Sequence, residues 1–224
     1  MASYLRSNKL GIIQVVALFL LFTASCQGQQ NPYQGLKDGH MKETLKDFPN
    51  RPARWNVPAE DGRLLYDLIL ENDYQRVLEV GTSNGYSALW MGFALKQTGG
   101  SLITIEINEE RAREARKNIE QAGLSSVIEV RLGNAMDVLP RLSGSFDMVF
   151  LDADKSQYLD YFRYLDSRVP DGGAITAHNV STMEYAMRDF LDALRDHGSY
   201  ETQVHRVSRQ GMLVAYKNRN KEVR

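Results

Sequence analysis

Short apolar runs alternate with longer amphipathic stretches from residue 76 onward. Val77 to Val80, Leu102 to Ile105, Val127 to Val130, Phe146 to Leu151 and Gly173 to Ala177 are each too short for a stable helix and are rich in residues that suit a buried strand. Between them, Tyr86 to Leu95, Glu109 to Ala122, Tyr158 to Leu165 and Met183 to Leu194 read as helices. The pattern changes at the C-terminal end. Thr202 to Val207 and Met212 to Tyr216 flank Ser208, Arg209, Gln210 and Gly211, a turn of hairpin length.

Buried strands alternating with helices build βαβ units, whose sheet is parallel and covered on both faces. The predicted fold is therefore α/β: a Rossmann-like, mostly parallel seven-stranded sheet with helices on both faces and an antiparallel C-terminal hairpin. The hairpin sets it apart from plain dinucleotide-binding sheets. Residues 61–217 are assigned to this domain, beginning with a helix around Leu64 to Leu70, and 218–224 to a polar tail. Residues 27–60 hold Asn31-Pro32, Gly35, Asp38-Gly39, Pro49, Pro52 and Pro58, and predict a linker and lid segment with no core element.

The N-terminus has a different character. Arg6 and Lys9 precede an apolar run from Leu10 to Phe22, and small residues Thr23, Ala24 and Ser25 follow, the order of a secretory signal peptide over residues 1–26. The run is 13 residues long, against roughly 20 for a membrane-spanning helix. Cys26 resembles the lipidated cysteine of a bacterial lipoprotein box, although Thr23 stands where leucine is usual. Cleavage nearby, or an uncleaved cytoplasm-facing anchor, are the alternatives. The expected location is exported or envelope-associated, with membrane contact through the N-terminus.

Composition narrows the chemistry. Of 224 residues, 27 are Lys or Arg and 28 Asp or Glu, a net charge of −1. That lacks the basic excess of a phosphate-tracking protein, so nucleic acid is set aside as a partner. Cys26 is the single cysteine, so neither an intramolecular disulfide nor a cysteine-built zinc site is available.

The strongest chemical signal follows the first strand, in Glu79, Val80, Gly81, Thr82, Ser83, Asn84, Gly85, Tyr86 and Ser87. Ligands of open α/β sheets sit beyond the carboxyl ends of strands, where glycine admits close backbone approach. Nicotinamide enzymes use a Gly-x-Gly-x-x-Gly spacing to hold a pyrophosphate. Here the glycines are Gly81 and Gly85, and a carboxylate at Glu79 would repel pyrophosphate while suiting a ligand with an ammonium and a sulfonium, as in S-adenosylmethionine. Glu106, at the tip of the second strand, is placed to accept both ribose hydroxyls of an adenosine. Gly133, Asn134 and Ala135 follow the third strand, where a backbone amide would meet the adenine edge.

With these residues in place, the chain resembles the O-methyltransferase family that includes catechol and caffeoyl-CoA O-methyltransferases. The stretches that carry the resemblance are Val77 to Ser87, Ile105-Glu106, Gly133 to Ala135, Phe146 to Lys155 and Gly172 to Val180. It implies transfer of a methyl group to a hydroxyl of a small, catechol-like or phenolic acceptor, a homodimer, and Glu79, Gly81, Ser83, Tyr86, Ser87, Glu106, Ala135 and Asp152 on the cofactor. It further implies Asp152, His178 and Asn179 as ligands of a divalent metal, magnesium or manganese, and Lys155 as the base. Trp55, Asn56 and Val57 would close over the acceptor.

One position departs. The family usually carries aspartate where His178 stands. Imidazole in place of a carboxylate favours borderline metals over magnesium. Alternatively no metal binds and His178, with an ordinary pKa of about 6.5, is itself the base. Lys155 has its own difficulty, because a free lysine near pKa 10.4 needs a nearby cation or burial to act as a base at neutrality. His40, His197 and His205 read as surface or packing residues. Two other functions are compatible with the sequence: an exported binding protein that keeps the fold without turnover, and a nicotinamide-dependent reductase.

Overall fold

A computed structural model describes residues 31–48 and 56–218. The signal-like segment, Cys26, Trp55 and the tail beyond 218 lie outside the described residues. Among those described, no helix is long and apolar enough to cross a membrane.

The sheet has seven strands: β1 (Arg76–Val80), β2 (Ser101–Glu106), β3 (Ile128–Leu132), β4 (Met148–Leu151), β5 (Ala174–His178), β6 (Tyr200–His205) and β7 (Met212–Lys217). Their order is β3-β2-β1-β4-β5-β7-β6. The first five are parallel and β7 runs antiparallel to both β5 and β6, as the pattern predicts. Strand order reverses between β1 and β4, so the loops leaving them diverge and open a crevice at their carboxyl ends.

Alternate residues of the central strands enter different cores. Val77, Phe150 and Met212 pack with Leu65 of α2 (Ala59–Glu71), Trp90 of α3 (Tyr86–Thr98) and Ile119 of α4 (Glu109–Gln121), together with Leu45 of α1 (Gly39–Asp47). Leu78, Val149 and Leu213 pack with Tyr158, Phe162 and Phe190 from the other face, where α6 (Tyr158–Leu165) and α7 (Arg188–Asp196) lie, along with the short α5 (Ala135–Val138). Period-two alternation feeding two helical layers is what a doubly covered sheet requires.

The linker expected over residues 27–60 is corrected for its described part. Asp38 caps α1 by accepting from the Met41 amide, and Met41, Leu45 and Phe48 are buried against the first core. Phe48 stacks on Tyr86 with ring centroids 5.0 Å apart. Apolar residues spaced four and three apart outweigh the turn formers around them. The compact unit accordingly begins at Asn31 and not at residue 61.

Candidate active site

The crevice is a cavity of about 880 Å³ running across the β1–β4 junction. Gly81, Ser83, Tyr86, Ser87, Glu106, Ala135, Asp152, Lys155, His178 and Asn179 all line it, as do Asn56 and Val57. Glu79 does not.

Gly81 is forced by its surroundings. Its φ is +106°, and a Cβ there would lie 2.3 Å from the Asp152 carbonyl oxygen. No other residue lets the loops after β1 and β4 pass so closely. Ser83 also has a left-handed backbone, φ +50°, which turns its amide onto Glu106 Oε2 at 2.8 Å. Asn108 N donates to Oε1 of the same carboxylate at 2.9 Å. Glu106 is thus held at the strand tip by two amides, facing the cavity with acceptor capacity to spare, as binding of a diol requires. Beside it, Gly133 N donates to Glu106 O at 2.9 Å, and Asn134 caps α5 through Met136 N, setting Ala135 on the cavity wall.

The expectation of a Glu79 carboxylate at the cavity mouth is corrected. Glu79 pairs in register with Thr104, so both side chains lie on the face covered by α3. Ser87 of α3 donates to its Oε1, and Thr104 Oγ1 donates to Oε2 at 2.5 Å. It is completely buried. Burial, only partly offset by the Ser87 and Thr104 hydrogen bonds, pushes its carboxyl up to about 8. Glu79 supports Ser87 from behind and does not line the cavity.

The opposite wall is an ionic network. Lys155, in the short helical turn after β4, is buried and donates to Asp152 Oδ1 at 2.7 Å and to Tyr158 Oη at 2.9 Å. Tyr158 Oη donates in turn to Leu151 O at 2.7 Å, so it accepts from Lys155. His178 lies with Nε2 2.8 Å from Asp61 Oδ2 and Nδ1 3.3 Å from Asp152 Oδ1. Burial opposes its protonation, but hydrogen bonds and charges from Asp152 and Asp61 outweigh burial and push it up to about 9. Burial likewise works against ionised Asp152, yet His178 and Lys155 hold its carboxyl below the usual range.

The geometry argues against two expectations about His178. An imidazole charged at neutrality is not a general base. Nor does the implied metal set fit: both ring nitrogens face carboxylates and Asp152 Oδ1 already accepts from Lys155 Nζ. Asn179, at φ +65°, remains on the cavity wall. Among the described residues no cluster of three His, Cys, Asp or Glu side chains is arranged to hold a metal. Asp61 was invisible in the sequence, since it lies 117 residues from its partner in what reads as an ordinary acidic helix start. His40 contacts Ala122 O at 3.3 Å and His197 pairs with Asp166 at 3.3 Å, both away from the cavity.

The O-methyltransferase family pattern matches residues 36–189. The chain belongs to the S-adenosylmethionine-dependent O-methyltransferase family. It is 38% identical over 151 residues to a catechol O-methyltransferase of Niastella koreensis, covering 63% of this chain and 68% of that protein. A catechol O-methyltransferase of Mycobacterium tuberculosis is 33% identical over 168 residues, 69% of this chain and 76% of the relative. The crystal structure of an O-methyltransferase from Bacillus cereus in complex with SAH has a TM-score of 0.71 at 27% identity, over 81% of this chain and 91% of that one. Membership in this family excludes the nicotinamide reductase. It also agrees with the antiparallel hairpin that completes the sheet.

Proposed function

We propose that this chain transfers the methyl group of S-adenosylmethionine to a hydroxyl of a small catechol-like acceptor, with Lys155 as the base. The observation that carries this is the meeting, in one cavity, of the amide-held Glu106 and glycine turn with the Asp152–Lys155 pair across the β1–β4 junction. Catechol methylation by the relatives from Niastella koreensis and Mycobacterium tuberculosis supports the acceptor class.

The sulfonium supplies an already activated methyl group, so the protein's work is alignment and removal of one proton. Glu106 accepts the ribose hydroxyls, and Gly81, Ser83 and Ala135 offer backbone to the nucleoside and its amino-acid arm. Tyr86 and Ser87 close the cavity floor, the latter held by Glu79. On the other wall Lys155 acts in its amine form. One of its two hydrogens goes to Asp152 and the other to Tyr158 Oη, which leaves its lone pair for the acceptor's hydroxyl proton. Asn56, Val57 and Asn179 also line the cavity and are assigned to its acceptor end. Residues 1–26 carry the chain to the cell envelope in this reading, and mass spectrometry of the mature N-terminus for acylated Cys26 tests that assignment.

Transfer of label from S-adenosylmethionine to a panel of catechols and monophenols tests the function. The expected result is methylated catechol and stoichiometric S-adenosylhomocysteine. Donor bound but no hydroxylated acceptor methylated would contradict it.

A further inference from the structure

His178 replaces the aspartate that the family resemblance leads one to expect, and the replacement comes with a partner. Asp61, in the first turn of α2, is completely buried. Its Oδ2 lies 2.8 Å from His178 Nε2 and accepts from Ser208 Oγ of the hairpin turn at 2.6 Å. On the other side of the ring, Nδ1 is 3.3 Å from Asp152 Oδ1, the oxygen that Lys155 Nζ reaches at 2.7 Å. Carboxylate, imidazole, carboxylate and the Lys155 amino group therefore follow one another from the helix start to the cavity wall. A lone pair on Nδ1 facing a carboxylate oxygen at that separation would be repelled, whereas an N–H is attracted. Flanked by a carboxylate at each nitrogen, the ring is favoured as the doubly protonated form, which has no lone pair for a cation.

A divalent ion on Asp152 would fix that carboxylate and concentrate positive charge beside the acceptor oxygen. We propose that the buried Asp61–His178 pair does this work instead, holding Asp152 and through it Lys155, so that this chain methylates hydroxyls without a metal ion. The proposal rests on the methyl-transfer reading above. The step balances without a metal: the oxygen–carbon bond forms as the sulfur–methyl bond breaks, sulfur keeps the electron pair, and the hydroxyl proton passes to Lys155 Nζ and then to water. Asp61 and His178 are positioning residues, since neither donates to nor accepts from the reacting atoms.

The test uses the full chain, stripped with chelator and assayed for transfer to catechol with and without added magnesium or manganese. Manganese binding is followed in parallel by calorimetry. The expected kcat changes by less than about twofold between chelator and either ion, with no stoichiometric manganese binding. A fall of about tenfold or more on chelation, restored by either ion, overturns the proposal, and so does stoichiometric binding. No transfer under any condition would defeat the methyl-transfer reading itself, and this proposal with it. Asp61→Asn is expected to lower kcat by about tenfold while KM for the donor stays within about twofold; an unchanged kcat overturns the positioning role. Since that variant removes a buried charge, His178→Asp provides an independent readout. It is expected to bind manganese and to need it for transfer, and indifference to metal in His178→Asp overturns the claim that the imidazole stands in for the cation.

Discussion

The two walls of the cavity are made of different material. On the β1–β3 side the wall is built largely by main chain: a glycine turn, the Ser83 and Asn108 amides that fix the Glu106 carboxylate, and the start of α5. On the β4–β5 side it is built by side chains that hold one another, Lys155 on Asp152, Asp152 on His178, His178 on Asp61. A network of buried ions is rigid only while every member is present, because removing one leaves its partner's charge uncompensated. The two halves should therefore fail in different ways, one in donor affinity and the other in rate.

Lys155→Met is the sharpest way to separate them. Loss of the base is expected to lower kcat by about 10²–10⁴-fold, with S-adenosylhomocysteine affinity unchanged by calorimetry. Gly81→Ala should break the separation, since its Cβ would meet the Asp152 carbonyl at 2.3 Å and push the loops of both walls apart. Donor affinity and rate are expected to fall together, each by about tenfold or more. Wild-type values for both would mean that the loops do not pass as described.

Glu106→Gln affects the backbone wall alone. Replacing charged hydrogen bonds by neutral ones, at about 1.5–3 kcal/mol for the group, is expected to weaken S-adenosylhomocysteine by about tenfold or more while kcat at saturating donor holds within a few-fold. The smallest effect concerns Glu79, whose carboxyl is raised from 4.5 to about 8. A group with a raised folded pKa contributes stability that is complete below its unfolded value and lost as pH rises through the folded one. Glu79→Gln cannot ionise, so its melting temperature should gain on the wild type between pH 5 and pH 9, whatever His178 contributes equally to both. Melting curves that stay parallel across that range would mean that Glu79 is ionised in the folded chain.

The same contrast explains what could be read from the chain. Strand runs, helix periods and the terminal hairpin are local patterns, and each strand observed falls within a few residues of its predicted run. The backbone wall was legible for the same reason: Gly81, Ser83, Glu106 and Ala135 sit at strand tips. Glu79 misled because a strand-end acid looks identical whether it faces the crevice or the helix layer, and only its register with Thr104 and the position of Ser87 decide. The helix at Gly39–Asp47 was hidden by the turn formers around Met41, Leu45 and Phe48. His178 was visible as a departure, but its meaning depended on Asp61, which the fold delivers from the first turn of α2.

The most direct test of the two-wall account is a calorimetric titration of S-adenosylhomocysteine into wild type, Glu106→Gln and Lys155→Met side by side. The account predicts one site per chain, matched affinity in wild type and Lys155→Met, and affinity lower by about tenfold or more in Glu106→Gln. No binding to the wild type, or a loss in Lys155→Met as large as that in Glu106→Gln, would contradict it.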